Sequence, residues 1–455
     1  MSLPARNQPC PCGSGKRFKD CHGRLDSVAG AQASAAAVDR CGQLMRTALR
    51  EQEARRLDDA ERLYREALEL VPDEPDALHM LGVIRYERGD LSEAKTLVIR
   101  ALDLSGWQLP AMRQNLGLIL SKDSAAWDAD ASIALRERYR AMQSARDAAV
   151  RPSNPLVSVV VPSYNHIRFV ERALRSIFAQ RYRRIELVVI DDGSTDGSPA
   201  LLEDCLRQSP FPHQLVVRDN RGAATTLNEG IALARGDFVQ FLNSDDWFAE
   251  SRIDRLVAAV ADTGSGWGFS SVDVVDADGH PVDPMRVRWA YDLRCSTAAI
   301  PFRETVGSGL ITGNITVSSG NLFVARPLLA QLDGFRQFRY NHDWDLCLRA
   351  LKQSEPVYVA ESLYHYRLHG SNTIMESADK ARTEAREVCA DYLDWARTVS
   401  TPQNPFAPAF ATWGPLFTNA ILSGGMGGML DALALRQLIS AAANAAKGHS
   451  EGRSR

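Results

Sequence analysis

Residues 156–165, LVSVVVPSYN, form a nearly continuous apolar run that ends in turn residues. Such a run fits a strand buried on both faces, because a half-exposed strand would alternate apolar and polar side chains. An amphipathic stretch follows, in which Phe169, Val170, Ala173, Leu174, Ile177 and Phe178 share one helical stripe. A second buried run, IELVVIDDGSTDGS, completes the unit. Strand, helix and strand within about 35 residues predict a βαβ crossover and therefore a parallel sheet. Ligands of such sheets bind beyond the carboxyl ends of the strands. Pro162, Tyr164, Asn165, Asp191 and Asp192 stand at those ends, where a carboxylate can accept hydrogen bonds from a nucleobase N–H or from ribose hydroxyls.

The next segment, NRGAATTLNEGIALARGDFVQFLNSDDWF, predicts a helix, a Gly236-Asp237 turn and another apolar strand. That strand ends in Asn243, Ser244, Asp245 and Asp246. Adjacent carboxylates at a buried strand end are costly unless a cation or solvent relieves them. A Mg²⁺ or Mn²⁺ ion bridging a diphosphate would do so.

The order VVVPSYN, IDDGSTDGS, GAATTLNEGIALARGDFVQFLNSDD resembles the inverting family 2 glycosyltransferases of GT-A fold. SSGNLFVARPLLAQLDGF followed by HDWDLCLRA is similar to that family's acceptor-side segment and acidic catalytic motif. YHYRLHGSN is similar to its closing histidine motif. The resemblance implies a nucleotide-diphosphate sugar donor. Asp192, with Asp191 beside it, matches the position that reads the base, Asp245 the last metal-binding carboxylate of the DXD motif, Asp343 the catalytic base and His369 the late metal or diphosphate contact. Two positions depart from the pattern: Asn243 replaces the first Asp of the motif, and His342 stands where Glu usually precedes the base. Those departures motivate a competing reading, a degenerate scaffold whose working parts lie elsewhere in the chain.

Those other parts precede residue 155. Cys10, Cys12, Cys21 and His22 are spaced C-x-C-x8-C-H, and thiolates with an imidazole are the ligands that close a tetrahedral Zn²⁺ site. The run PCPCGSGKRFKDCHG resembles the SEC-C motif, a binding module. Farther on, Ala60, Tyr64, Ala67 and Leu68 recur at a spacing of about 34 residues as Ala94, Val98, Ala101 and Leu102. Small residues there let paired helices approach, and the pattern resembles tetratricopeptide repeats: two units and a worn third helix. The repeats read equally as a partner-binding groove or as a spacer or dimerisation surface.

The expected architecture is thus α/β: a zinc motif over 1–25, all-α repeats over 40–122, a helical linker over 123–154, a GT-A domain over 155–375 and a helical extension over 376–455. Residues 276–316 show no clear periodicity and suit an acceptor-binding loop. A net charge of −3 without a basic stretch argues against nucleic-acid binding. MSLPARNQPC has no apolar signal core, and apolar runs of 18 or more residues are absent, so a cytoplasmic protein is expected. The charge-poor stretch FAPAFATWGPLFTNAILSGGMGGML either packs on the catalytic domain or on the repeats, or touches a membrane surface, where lipid-linked acceptors reside. The implied acceptor is a glycan, lipid-linked or protein hydroxyl, as in surface polysaccharide assembly.

Overall fold

The computed structural model describes residues 35–107, 109–123, 129–146, 154–370, 372–373, 376–423, 425–430 and 434–439. The proposed zinc ligands Cys10, Cys12, Cys21 and His22 lie outside the described residues. The chain divides into two units, Met1–Ser105 and Gly106–Arg455.

In the first unit, helices α1 (Ala35–Glu53), α2 (Leu57–Leu70), α3 (Pro75–Glu87) and α4 (Leu91–Leu104) pack in sequential pairs. Their starts follow from local chemistry. Pro75 opens α3, where a missing N–H costs nothing. The Asp90 carboxylate caps α4 by accepting from the Glu93 amide at 3.1 Å. The repeated residues Ala60, Tyr64, Ala67, Ala94, Val98 and Ala101 are all fully buried. At Gly82 a Cβ would meet the Val98 side chain at 2.7 Å, so a larger residue would push on the repeated Val98.

The second unit begins earlier than the sequence suggests. Helix α5 (Pro110–Asp123), expected as the worn third repeat helix, packs on a C-terminal helix of this unit and buries Met112, Leu116 and Ile119. Helix α6 (Ala129–Arg146), expected as a linker, buries Leu135 and Tyr139, and the Tyr139 ring meets Phe406 edge-on at 5.3 Å. The repeat region expected to reach residue 122 is therefore divided at residue 105.

The sheet follows. In order come β1 (Val157–Ser163), α7 (Val170–Phe178), β2 (Ile185–Asp192), α8 (Ser198–Leu206), β3 (His213–Arg218), α9 (Ala223–Leu233), β4 (Phe238–Phe241), β5 (Trp247–Phe248), α10 (Arg252–Thr263) and β6 (Trp267–Val275). Then come α11 (Arg288–Ala298), β7 (Phe323–Ala325), α12 (Arg326–Gln331), α13 (His342–Gln353) and β8 (Val357–Arg367). Eight strands form one sheet in the order β3-β2-β1-β4-β7-β6-β8-β5. The first four are parallel, β7 runs antiparallel to both neighbours, and β6 pairs parallel with β8. Every residue of β2 is buried, as its continuous apolar run requires. The apolar stripe of α7 and the side chains Val157, Val159, Val161, Leu187 and Val189 share one core.

The Gly236-Asp237 turn fixes β4 beside β1. A Cβ at Gly236 would lie 2.6 Å from the Ser158 amide nitrogen, so only glycine fits. Asp237 accepts from the Leu156 amide at 2.8 Å.

Helices α14 (Ala378–Thr398), α15 (Phe410–Trp413), α16 (Pro415–Ser423) and α17 (Gly425–Met429) form the extension, and α5 packs on α16. The charge-poor stretch turns inward: Phe406, Ala407, Trp413, Phe417, Ile421, Leu422 and Met426 are buried. Its apolar side chains are covered by protein, which removes the basis for expecting a membrane face there. Among the described residues, no helix is long and apolar enough to cross a membrane.

Candidate active site

The carboxyl ends of β1, β2 and β4 converge, as parallel pairing dictates. At β1, His166 sits just past the strand. Its Nδ1 lies 2.8 Å from Ser244 Oγ, and its Nε2 lies 3.9 Å from an Asp245 carboxylate oxygen. His369, just past β8, places Nε2 3.0 Å from the same oxygen. The ligand atoms of His166, Asp245 and His369 lie within 4.8 Å of one another, close enough to hold one cation. Asp245 and His369 were legible in the sequence; His166 was not, although it directly follows the VVVPSYN strand end.

Asp246 points the other way. Its carboxylate accepts from the Tyr364 hydroxyl and, at 2.8 Å, from the Arg367 amide. The two neighbours are thereby driven apart electrostatically. Burial and the adjacent Asp245 charge push the Asp246 carboxyl well above its ordinary range. Burial acts upward on Asp245 too, but the His369 hydrogen bond and the nearby imidazoles outweigh it and hold that carboxyl low. Of the two acids, Asp245 is therefore the one aimed at the histidines. Arg367 keeps the pair in place from behind: its Nε donates to the Asp245 carbonyl at 2.7 Å.

The β2 end divides its acids differently from the sequence expectation. Asp191 is fully buried, and its oxygens accept from the Ser194 amide and hydroxyl at 2.8 and 2.7 Å, so it closes the Gly/Ser/Thr turn. Asp192 accepts from the Arg218 guanidinium and from the amides of Arg221 and Gly222 at 2.8 and 2.9 Å. A carboxylate offers about four acceptor positions, so one remains for a ligand. Asn165 takes a positive φ of 53° and bonds the Thr195 amide at 2.8 Å, tying the β1 end to the same turn. Pro162 lies within β1 opposite Ile190, and Tyr164 is 48 % exposed at the rim.

Asp343 stands in the first turn of α13, buried. One oxygen accepts from the Trp344 amide at 2.7 Å and the other from Asn314 Nδ2 at 3.1 Å. Burial raises its carboxyl above the ordinary value despite the adjoining His342 and these hydrogen bonds. Asp345, by contrast, is an ion-pair centre between Arg336 and Arg349. His342 packs edge-on against Phe335 at 5.7 Å.

The strap of residues 314–321 joins the two halves. Asn314 bonds Asp343, and the Ser319 hydroxyl donates to Asn243 Oδ1 at 3.1 Å. Asn321 is fully buried against Arg252, whose guanidinium donates to the Asn321 carbonyl at 2.8 Å and to its Oδ1 at 3.0 Å. Arg252 is itself fully buried and hydrogen-bonds Gln240, Ser270 and Asn321, none of them an acid; burial lowers it to about 9. Val317 adopts φ 74°, a conformation that strains a β-branched residue. Two residues on from Tyr364, which bonds Ser318 of the strap, stands Tyr366, whose phenol is pushed up by burial and then by the charges of Asp246, Asp245 and Asp343.

Residues 158–309 match the glycosyl transferase family 2 family, residues 52–104 a tetratricopeptide repeat and residues 6–24 the SEC-C motif. An uncharacterized glycosyltransferase of Nostoc sp. is 26 % identical over 227 residues, 49 % of this chain and 67 % of that protein. The putative teichuronic acid biosynthesis glycosyltransferase TuaG of Bacillus subtilis is 30 % identical over 129 residues, 28 % of this chain and 51 % of that protein, so this match spans about half of the relative. Among solved structures, S. aureus TarS in complex with UDP-GlcNAc aligns with a TM-score of 0.43 and 18 % identity, covering 55 % of this chain and 68 % of that one. The mannosyltransferase PcManGT of Pyrobaculum calidifontis, in complex with GDP-Man and Mn²⁺, aligns with a TM-score of 0.42 and 20 % identity, covering 75 % of this chain and 91 % of that one. Parallel β1–β4, the convergent strand ends and the family match agree: this chain carries a glycosyl transferase family 2 domain of GT-A fold, together with tetratricopeptide repeats and an SEC-C motif.

Proposed function

We propose that the domain transfers a sugar from a nucleoside-diphosphate sugar to an acceptor hydroxyl with inversion at the anomeric carbon. The observation that carries this reading is the His166–Asp245–His369 cluster at the carboxyl ends of the sheet, with the buried Asp343 in the first turn of α13 as the candidate base. One carboxylate and two imidazoles suit Mn²⁺ better than Mg²⁺, which prefers oxygen ligands alone. Bound there, the cation would neutralise charge on the departing diphosphate.

The chain's own groups supply the rest. Asp192 keeps one acceptor position for a base N–H, and Tyr164 offers an exposed ring beside it. Asn243 replaces a charged ligand with an amide that can hydrogen-bond a ribose or sugar hydroxyl. Asp343 takes the proton as the acceptor oxygen bonds the anomeric carbon and the carbon–phosphate oxygen bond breaks. The acceptor is a glycan, glycolipid or protein hydroxyl, reached from the cytoplasmic side, and the repeats and zinc motif recruit a protein partner.

The test is a screen of nucleotide-sugar hydrolysis by the full chain with Mn²⁺, Mg²⁺ or chelator. Metal-dependent release of a nucleoside diphosphate from one donor is expected. A folded protein that binds and hydrolyses none of them refutes the reading and favours a scaffold.

A further inference from the structure

Beyond the base, the acceptor has segments assigned to it but no contact residue, yet the surface beside the acids has a distinctive make-up. Tyr364 and Tyr366 are two residues apart on β8 and therefore share a face of the strand. The Tyr364 hydroxyl holds Asp246, so Tyr366 lies one step of about 7 Å along the same face. Among the described residues the Tyr366 hydroxyl makes no hydrogen bond, although the ring is largely covered. Trp289, in the first turn of α11, packs on that ring at a centroid distance of 5.6 Å and an angle of 53°, and 43 % of it remains exposed. The indole and the phenol thus form an open corner with two unspent polar tips.

We infer that Trp289 and Tyr366 form a platform for a pyranose ring of the acceptor, with Trp289 stacking on its C–H face and Tyr366 fixing one hydroxyl, which sets the hydroxyl presented to Asp343. A sugar ring has an apolar face and a polar rim, and an aromatic ring with a polar tip matches both. A lipid tail fits less well. Trp289 is flanked by polar pairs on the same segment, Arg288–Asp292 at 2.9 Å and Arg286–Asp283 at 3.6 Å, rather than by a continuous apolar patch. Arg367, the next residue along the strand, donates its amide to Asp246 at 2.8 Å and its Nε to the Asp245 carbonyl at 2.7 Å, which puts the corner beside these acids. The role as acceptor site rests on the transferase reading; the sugar platform itself can be tested without it.

Saturation-transfer NMR on the full chain with a mixture of methyl α- and β-pyranosides tests the platform directly. Saturation of the sugar ring protons is expected in the wild type. It should fall at least about fivefold in Trp289→Ala, return largely in Trp289→Phe, and persist in Phe302→Ala, a control at a 76 % exposed ring on a neighbouring segment. No saturation in the wild type, or equal saturation in Trp289→Ala, overturns the platform. With a donor identified, Trp289→Ala should raise the acceptor-sugar KM about tenfold while the donor KM moves less than about threefold; a Tyr366→Phe variant should also change the ratio of regioisomeric products. Equal rises in both KM values overturn the acceptor role. If pyranosides bind but no donor is hydrolysed, the transferase reading fails and the acceptor role goes with it, while the sugar platform stands.

Discussion

Asp343→Asn separates chemistry from folding, because the structure bounds what the substitution costs. The carbonyl oxygen of the substituted side chain keeps the Trp344 amide as donor. Its new NH₂ group then faces Asn314 Nδ2, donor against donor, where a 3.1 Å hydrogen bond existed. Asn314 could flip only by turning its Oδ1 away from Thr316, whose hydroxyl donates to it at 2.7 Å. At most one hydrogen bond is lost, since the Thr316 hydroxyl can accept from a flipped Asn314 amide, and it is worth about 1–2 kcal/mol of stability when its partner stays buried. Loss of a general base costs roughly 10²–10⁴-fold in turnover. A hundredfold loss corresponds to about 2.7 kcal/mol in the barrier. A domain of ordinary stability survives the first term, so the second is measurable on folded protein. Donor calorimetry should give nearly unchanged affinity, thermal unfolding a drop of a few degrees, and nucleotide release a fall of about 10²-fold or more. The raised carboxyl of Asp343 adds a sign: the base works deprotonated, so wild-type activity should fall as pH drops through a value above the ordinary carboxylate range. Folded Asp343→Asn protein with wild-type turnover refutes the assignment.

Asp245→Ala should weaken metal-dependent donor binding by about tenfold or more, and His166→Ala should do the same to a smaller degree; titrations with and without Mn²⁺ read both. A chain starting at residue 106 should fold and bind donor, whereas one starting at 151 loses α5 and α6 and should melt lower, since each buried side chain among Met112, Leu116, Ile119, Leu135 and Tyr139 contributes about 1.5–3 kcal/mol; equal melting temperatures contradict this packing. Metal analysis of purified Cys10→Ser/Cys12→Ser protein should show about one equivalent of zinc fewer than the wild type.

The strands were legible because buried parallel strands leave continuous apolar runs, and their carboxyl ends are where parallel topology puts ligands. Individual roles were less legible. Asp191 and Asp192 are adjacent letters, but the turn takes the first entirely and Arg218 part of the second. Asp245 and Asp246 look equivalent until Tyr364, over a hundred residues away, claims one of them. His166 gave no periodic or spacing signal; a histidine at a strand end gains meaning only from what the fold places opposite. Helix α5 follows the two repeats directly and reads as their worn third helix, and only its packing on α16 assigns it to the second unit. Helix α11, within 276–316, lacked a pattern because only Ala290, Leu293 and Thr297 of it face inward.

The strap of residues 314–321 touches Asp343 at one end and Asn243 near the other, and Asn321 anchors it to Arg252. Any ligand that moves the strap from Asn243 changes how Asn314 meets the base, and an acceptor that draws on Asp343 changes how Ser319 meets Asn243. Linkage makes that exchange reciprocal: the free energy by which donor favours acceptor binding equals that by which acceptor favours donor. Binding order would then be a kinetic matter, while the strap offers one route for synergy between the two substrates, and substitutions at Asn321, which hydrogen-bonds neither Asp343 nor Asn243, should change its size.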